Sequence, residues 1–238
     1  MPRATTTLRG TLLALSLAAA APAAAGAQAP AAGPPVTTPA WLRARLDGRF
    51  DVRARAALER VIDSALVAGV PAEPLVDKAL EGASKGAPTE GVLRAVRGLA
   101  GDLAAARQAL GTGSLVGELS AGAAALRAGV DPGALHSLRR DRPGQPLVVA
   151  LGVLTDLIAR GVPAEGASNS VLALTKAGIV DEQLVAFRRD VERDIGVGAP
   201  PAVALGVRTS GFAAYTGVGE GPAGAAARGA PGGGKRRP

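Results

Sequence analysis

Gly69-Val70-Pro71-Ala72-Glu73 recurs letter for letter as Gly161-Val162-Pro163-Ala164-Glu165. The two stretches stay in step beyond the match. Seventeen residues after each first glycine comes a second break, Gly86-Ala87-Pro88 in one and Gly178-Ile179-Val180 in the other. An acidic residue follows each break, Glu90 or Glu182, and then an apolar pair, Val92-Leu93 or Leu184-Val185. Two ungapped stretches at an offset of 92 predict an internal duplication of helical units.

The repeated motif reads as helix, break, helix. Before Gly69, residues Leu58, Val61, Ile62, Ala65 and Leu66 recur at i, i+3, i+4, i+7 and i+8, one stripe of a 3.6-residue helix. Arg53, Arg60 and Asp63 lie off that stripe, on the solvated side. A glycine just past the stripe can turn left-handed and end the helix. Pro71 and Pro163 are then expected in the first turn of the next helix, where a missing N–H costs nothing. Gly129-Val130-Asp131-Pro132 repeats the corner, with Asp131 as N-cap and Pro132 at the first helical position.

The same reasoning places helices near 40–47, 51–68, 72–84, 88–110, 114–127, 132–140, 146–160, 164–177 and 181–196. No period-2 alternation occurs, and aromatic residues are 2% of the chain, whereas Ala and Leu favour helix over strand. The expected fold is all-α: about eight short helices built from a duplicated helix-turn-helix repeat. Gly69, Pro71, Gly86, Gly129, Gly161, Pro163 and Gly178 are its structural markers. The tetratricopeptide signature is missing. A compact bundle and a short α-solenoid-like array both fit.

Both ends differ from the middle. Arg3 and Arg9 precede an apolar run from Leu12 to Ala21, and Ala25-Gly26-Ala27 supplies small residues. That succession is a signal peptide over 1–27, with cleavage after Ala27. The run is too short to span a bilayer as a lasting helix, so no transmembrane segment is expected after cleavage. Residues 28–39 are a Pro/Ala linker, 40–205 the helical domain, and 206–238 a disordered Gly/Ala/Pro tail ending Lys235-Arg236-Arg237-Pro238. The protein is expected to be exported, to a periplasm or the outside. Its 23 Arg against 4 Lys, with much Ala and Gly, is the codon bias of a high-GC bacterium. Cysteine is absent, so no disulfide supports the fold.

Charge argues against nucleic acid. Of the formal +7, two charges belong to the signal peptide and four to 206–238, leaving +1 on the body. A near-neutral body with a short basic tail makes no nucleic-acid-binding face.

Chemistry is thin. His136 is the only histidine, so no histidine-based metal site forms, and its neighbour Ser137 points elsewhere on a helix. Gly111-Thr112-Gly113-Ser114 lacks the lysine of a phosphate loop and reads as a turn with Ser114 as N-cap. Trp41, Leu42, Arg45 and Leu46 form a short amphipathic helix that docks the N-terminus on the first repeat. The most polar helix carries the binding candidates Asp77, Lys78, Glu81 and Lys85, with Glu81 and Lys85 at i, i+4. No catalytic set, cofactor site or metal site is assembled. The leading expectation is a non-enzymatic interaction or scaffold protein whose partner is another protein or a cell-envelope polymer. The alternatives are a glycan-acting enzyme, if Asp77, Glu81, Asp102 and Glu118 converge, and a tether acting through the basic tail.

Overall fold

In the computed structural model of the protein, which describes residues 37–215, Gly69 and Gly161 both take positive φ, 75° and 85°. Each closes a helix with the same pair of backbone bonds. Gly69 N–H donates to Leu66 O and Val70 N–H to Ala65 O, at 2.8 and 2.9 Å. Gly161 N–H donates to Ile158 O and Val162 N–H to Leu157 O, at 2.9 and 3.1 Å. These are Schellman ends, with buried Val70 and Val162 packing back on the last turn. Gly86, Gly129 and Gly178 build the same end with positive φ.

The prolines sit differently from expectation. Of Pro71, Pro163 and Pro132, only Pro132 occupies the first helical position, after Asp131, whose Oδ1 accepts Gly133 N–H at 2.7 Å. Pro163 is instead the N-cap, with extended ψ of 134°, and its carbonyl accepts the first helical bond from Ala167 N–H. Pro71 lies one residue further out, ahead of the N-cap Ala72. Proline's fixed φ suits the last extended residue as well as the first helical one.

Ten helices run through the described residues: α1 (Ala40–Ala44), α2 (Val52–Val67), α3 (Glu73–Ser84), α4 (Thr89–Leu110), α5 (Val116–Arg127), α6 (Pro132–Asp141), α7 (Val148–Ala159), α8 (Ala164–Lys176), α9 (Asp181–Gly196) and α10 (Pro201–Tyr215). There is no strand among them. The helices placed from the sequence include the short first one, near 40–47; the helix not expected is α10, which occupies residues assigned to the tail from 206 onward. Arg208 clamps Asp194 through two bonds of 2.6 and 2.7 Å, Thr209 Oγ1 donates to Ser170 Oγ, and Phe212 packs edge-on against buried Phe187. Residues 206–215, expected in the tail, are therefore helical and packed. Thr38, expected in the linker, is buried and donates through both N–H and Oγ1 to Asp63 Oδ1. The expected signal peptide and most of the expected linker lie outside the described residues, as does the basic end of the expected tail.

Packing follows chain order. α2, α4, α6, α8 and α10 touch in succession, and α5, α7 and α9 do the same. The principal partners of a helix are never more than two helices away. The apolar interior divides accordingly. One cluster runs from Leu42 to Ala123 around Leu58, Ile62, Leu75 and Leu103. A second runs from Ala109 to Leu205 around Leu138, Leu151, Leu154 and Phe187. Half-buried Leu126 packs against both.

Candidate functional site

The four polar residues singled out on α3 neutralise one another and their neighbours. Glu81 is bridged by Lys78 at 2.9 Å and Lys85 at 2.5 Å, while Asp77 pairs with Arg45 of the α1 segment at 2.7 Å. Hydrogen bonds from Lys85 and Lys78 hold the Glu81 carboxyl at about 2, well below the usual range. All four are solvent-facing or half so, as a solvated helix face is.

The structure does not gather the four carboxylates considered for catalysis into one cleft. Asp77 and Glu81 line a groove of about 540 Å³ with Glu73, Leu99 and Ser120, and neither Asp102 nor Glu118 reaches it. Asp102 pairs with Arg127. Glu118 is buried, and its bonds explain why. Oε2 accepts Leu115 N–H at 3.0 Å, capping α5, and Oε1 accepts Leu147 N–H at 3.0 Å from the α6–α7 loop. Arg139 Nη2 lies 2.7 Å from Oε1. Burial raises the Glu118 pKa, but Arg139 and the two N–H groups outweigh it and hold the carboxyl below its ordinary value. Glu118 is thus a structural clasp. Ser114, expected to cap α5, instead bonds back to Leu110 O.

A second clasp lies nearby. Buried Arg142 donates to Asp181 and to Ile179 O, fastening the end of α6 to the α8–α9 corner. His136 is exposed on α6, and no metal-binding group of acids, His or Cys occurs among the described residues. The short first helix docks through its leucines and not through its tryptophan. Leu42 and Leu46 dock α1, being 3% and 0% exposed, whereas Trp41 is 60% exposed.

The feature the sequence reading missed is a groove of about 590 Å³ between α2 and α4. Its α2 wall is Ala57, Arg60, Val61, Ser64, Ala65 and Ala68, at i, i+3, i+4, i+7, i+8 and i+11. This wall shares Val61 and Ala65 with the core stripe of Leu58 and Ile62 and extends it to one side through Ala57, Arg60, Ser64 and Ala68. Its α4 wall is Arg97, Ala100 and Ala104, and Val70 closes one end. Alanine at five positions leaves a trough where larger side chains would fill the space. The trough continues past Arg60 and Arg97 toward Arg53, Asp51 and Glu90 at the helix starts. Asp51 is occupied in capping α2 through Ala54 N–H. Arg97 has no partner among the described residues, and Arg60 reaches only the carbonyl of Ala56, at 3.3 Å. Two unneutralised guanidiniums therefore stand beside an apolar floor.

No helix among the described residues is long and apolar enough to cross a membrane. No family model, characterised protein or solved structure matches the chain.

Proposed function

We propose that the chain is an exported, non-enzymatic helical interaction protein that receives a partner in the α2–α4 groove. The observation that carries this reading is the pairing of an alanine-floored trough with Arg60 and Arg97, which lack an acidic partner. Other surface arginines also stand outside ion pairs, Arg53, Arg94 and Arg189 among them, but of these unpaired arginines Arg60 and Arg97 are the ones that line the apolar groove. Each of the four carboxylates considered for catalysis is occupied by its own cation, which favours binding over acid–base chemistry. Export rests on the signal-peptide pattern of residues 1–27.

The architecture within this proposal is a duplicated three-helix unit. α2 and α7 end at Val67 and Ala159, α3 and α8 at Ser84 and Lys176, and α4 and α9 start at Thr89 and Asp181. Each pair differs by the same 92 positions that separate Gly69 from Gly161. Packing of each helix mainly on its near neighbours in chain order favours the solenoid-like member of the two expected architectures.

Site-specific photo-crosslinking tests the reading. A crosslinker at Ala104 should trap an envelope component, and one at exposed Glu182 on the far end should not. Equal trapping at both sites, or at neither, would count against a partner in this groove. N-terminal sequencing of the exported protein should begin at Gln28.

A further inference from the structure

We propose that Asp47-Gly48, in the turn between α1 and α2, is a site of spontaneous covalent modification, where Asp47 closes on the Gly48 amide to a succinimide that opens to isoaspartate. The sequence holds one Asp–Gly pair, this one, and no Asn–Gly pair. Glycine matters because ring closure brings the nitrogen of residue 48 onto Asp47 Cγ, and a side chain on residue 48 would crowd that approach.

Three features of the turn leave the reaction open. The nucleophile is free: the N–H groups of Asp47 and Arg49 donate to Ala44 O and Leu46 O, but Gly48 N–H has no partner among the described residues. The turn is also uncrowded. Gly48 is exposed at φ 67°, and a β-carbon there would meet no atom within 4 Å. Finally, the Asp47 side chain is exposed and has one partner among the described residues, the Arg55 guanidinium. Such a solvent-facing pair is weak and opens readily. Asp63-Ser64 and Asn169-Ser170 also set a small residue after the acid or amide, yet they lie inside α2 and α8. A helical N–H is committed to the carbonyl four residues back. Asp63 is further held by both donors of Thr38.

The chemistry needs water alone. Gly48 nitrogen attacks Cγ of the protonated Asp47 carboxyl. The N–Cγ bond forms, the Cγ–OH bond breaks, and the amide proton leaves with the hydroxyl as water. Water then adds to either ring carbonyl. Addition at Cγ restores aspartate. Addition at the main-chain carbonyl of Asp47 leaves the backbone running through Cβ and Cγ, one methylene longer, with a free α-carboxylate. Mass is unchanged overall. Ring closure requires the carboxyl to leave Arg55, so Arg55 is the restraint on the reaction. The lengthened backbone in turn loosens the link from α2 to α1, which is seated by buried Leu42 and Leu46.

The experiment ages the full chain at neutral pH, folded and in urea, and reads each Asp and Asn by electron-transfer fragmentation, which separates isoaspartate from aspartate at equal mass. Isoaspartate should accumulate at residue 47 in the folded chain, while Asp63 and Asn169 should change only in urea. Arg55→Gln should speed the folded-state reaction by about twofold to fivefold, as loss of an exposed pair allows. Asp47→Glu, whose ring would be one atom larger, should abolish it. The isomerised fraction, separated by ion exchange, should show faster amide exchange in α1 than the unmodified chain. Modification of residue 47 confined to urea, or equal modification of Asp63 in the folded chain, would overturn the site. An unaccelerated Arg55→Gln variant would overturn the restraint, and unchanged exchange in α1 would overturn the structural consequence.

Discussion

Glu118 accepts the backbone N–H of Leu147 across 29 residues of chain, and does so from a buried position beside Arg139. One side chain thereby caps α5 and fixes the loop entering α7. Glu118→Ala would strand Arg139 and two N–H groups in a largely buried setting. We expect a loss of about 3 kcal/mol in urea unfolding, since breaking a buried pair by removing one partner is costly. A loss indistinguishable from that of an exposed acid would show the clasp to be dispensable.

The same carboxyl sets an acid dependence. Its folded pKa lies below its unfolded value, so the folded state binds fewer protons there. The contribution is fully present above the unfolded value of about 4.3 and fades as pH falls through the lower folded value. The stability gap between wild type and Glu118→Gln should therefore be constant near neutrality and shrink below about pH 4. A gap that widens in acid would contradict the sign.

Glu81 should behave oppositely to Glu118 in one respect. Its carboxyl titrates at about 2, yet it is exposed. Carbon-detected NMR should follow that titration, and Glu81→Gln should leave the urea midpoint unchanged in moderate salt. A clear shift in midpoint would give the α3 cluster a structural role that its exposure does not support.

Gly69→Val and Gly161→Val should each lower stability by about 1–2 kcal/mol, because both positions need positive φ. The two differ in space. A β-carbon at Gly69 falls 2.8 Å from Arg107 Nε, whereas at Gly161 the nearest atom is Pro201 Cγ at 3.5 Å. Gly69→Ala should displace the Arg107 side chain, visible as a shifted Nε resonance. Gly161→Ala should disturb no neighbour. Unaltered melting of both valine variants would show that these corners tolerate a side chain.

Truncation separates α10 from the residues that follow it. Ending the chain at Leu205 removes the Arg208–Asp194 clamp and uncovers Phe187, so we expect a loss of about 2 kcal/mol or more. Ending it at Val218 should leave helicity and melting as in the full chain. Equal stability of the two truncations would detach α10 from the fold.

Residues whose role is local were readable from the chain. Gly69, Gly129 and Gly161 end helices through their own backbone bonds, and Asp131 caps the helix beside it. Residues whose role is tertiary were not. Glu118 reads as a first-turn acid until Arg139 and Leu147 arrive beside it from another helix and loop. Ala57, Ala100 and Ala104 read as plain helix formers, and the trough exists only because two such stripes face each other. α10 was hidden by composition. Gly206 and Gly211 lower its helix propensity, and packing on α8 and α9 overrides that. Pro201, at its first turn, was the local signal available.

Helices whose partners lie at most two steps along the chain give a polypeptide little reason to wait. Low contact order speeds folding, because short loops close at small entropic cost. As the chain emerges amino end first, α2 to α4 can bury Leu58, Ile62 and Leu103 before α8 to α10 have been made. Each half then forms a cooperative unit of its own. Amide exchange should show two protection levels that divide near Leu126, whose side chain packs against both interiors.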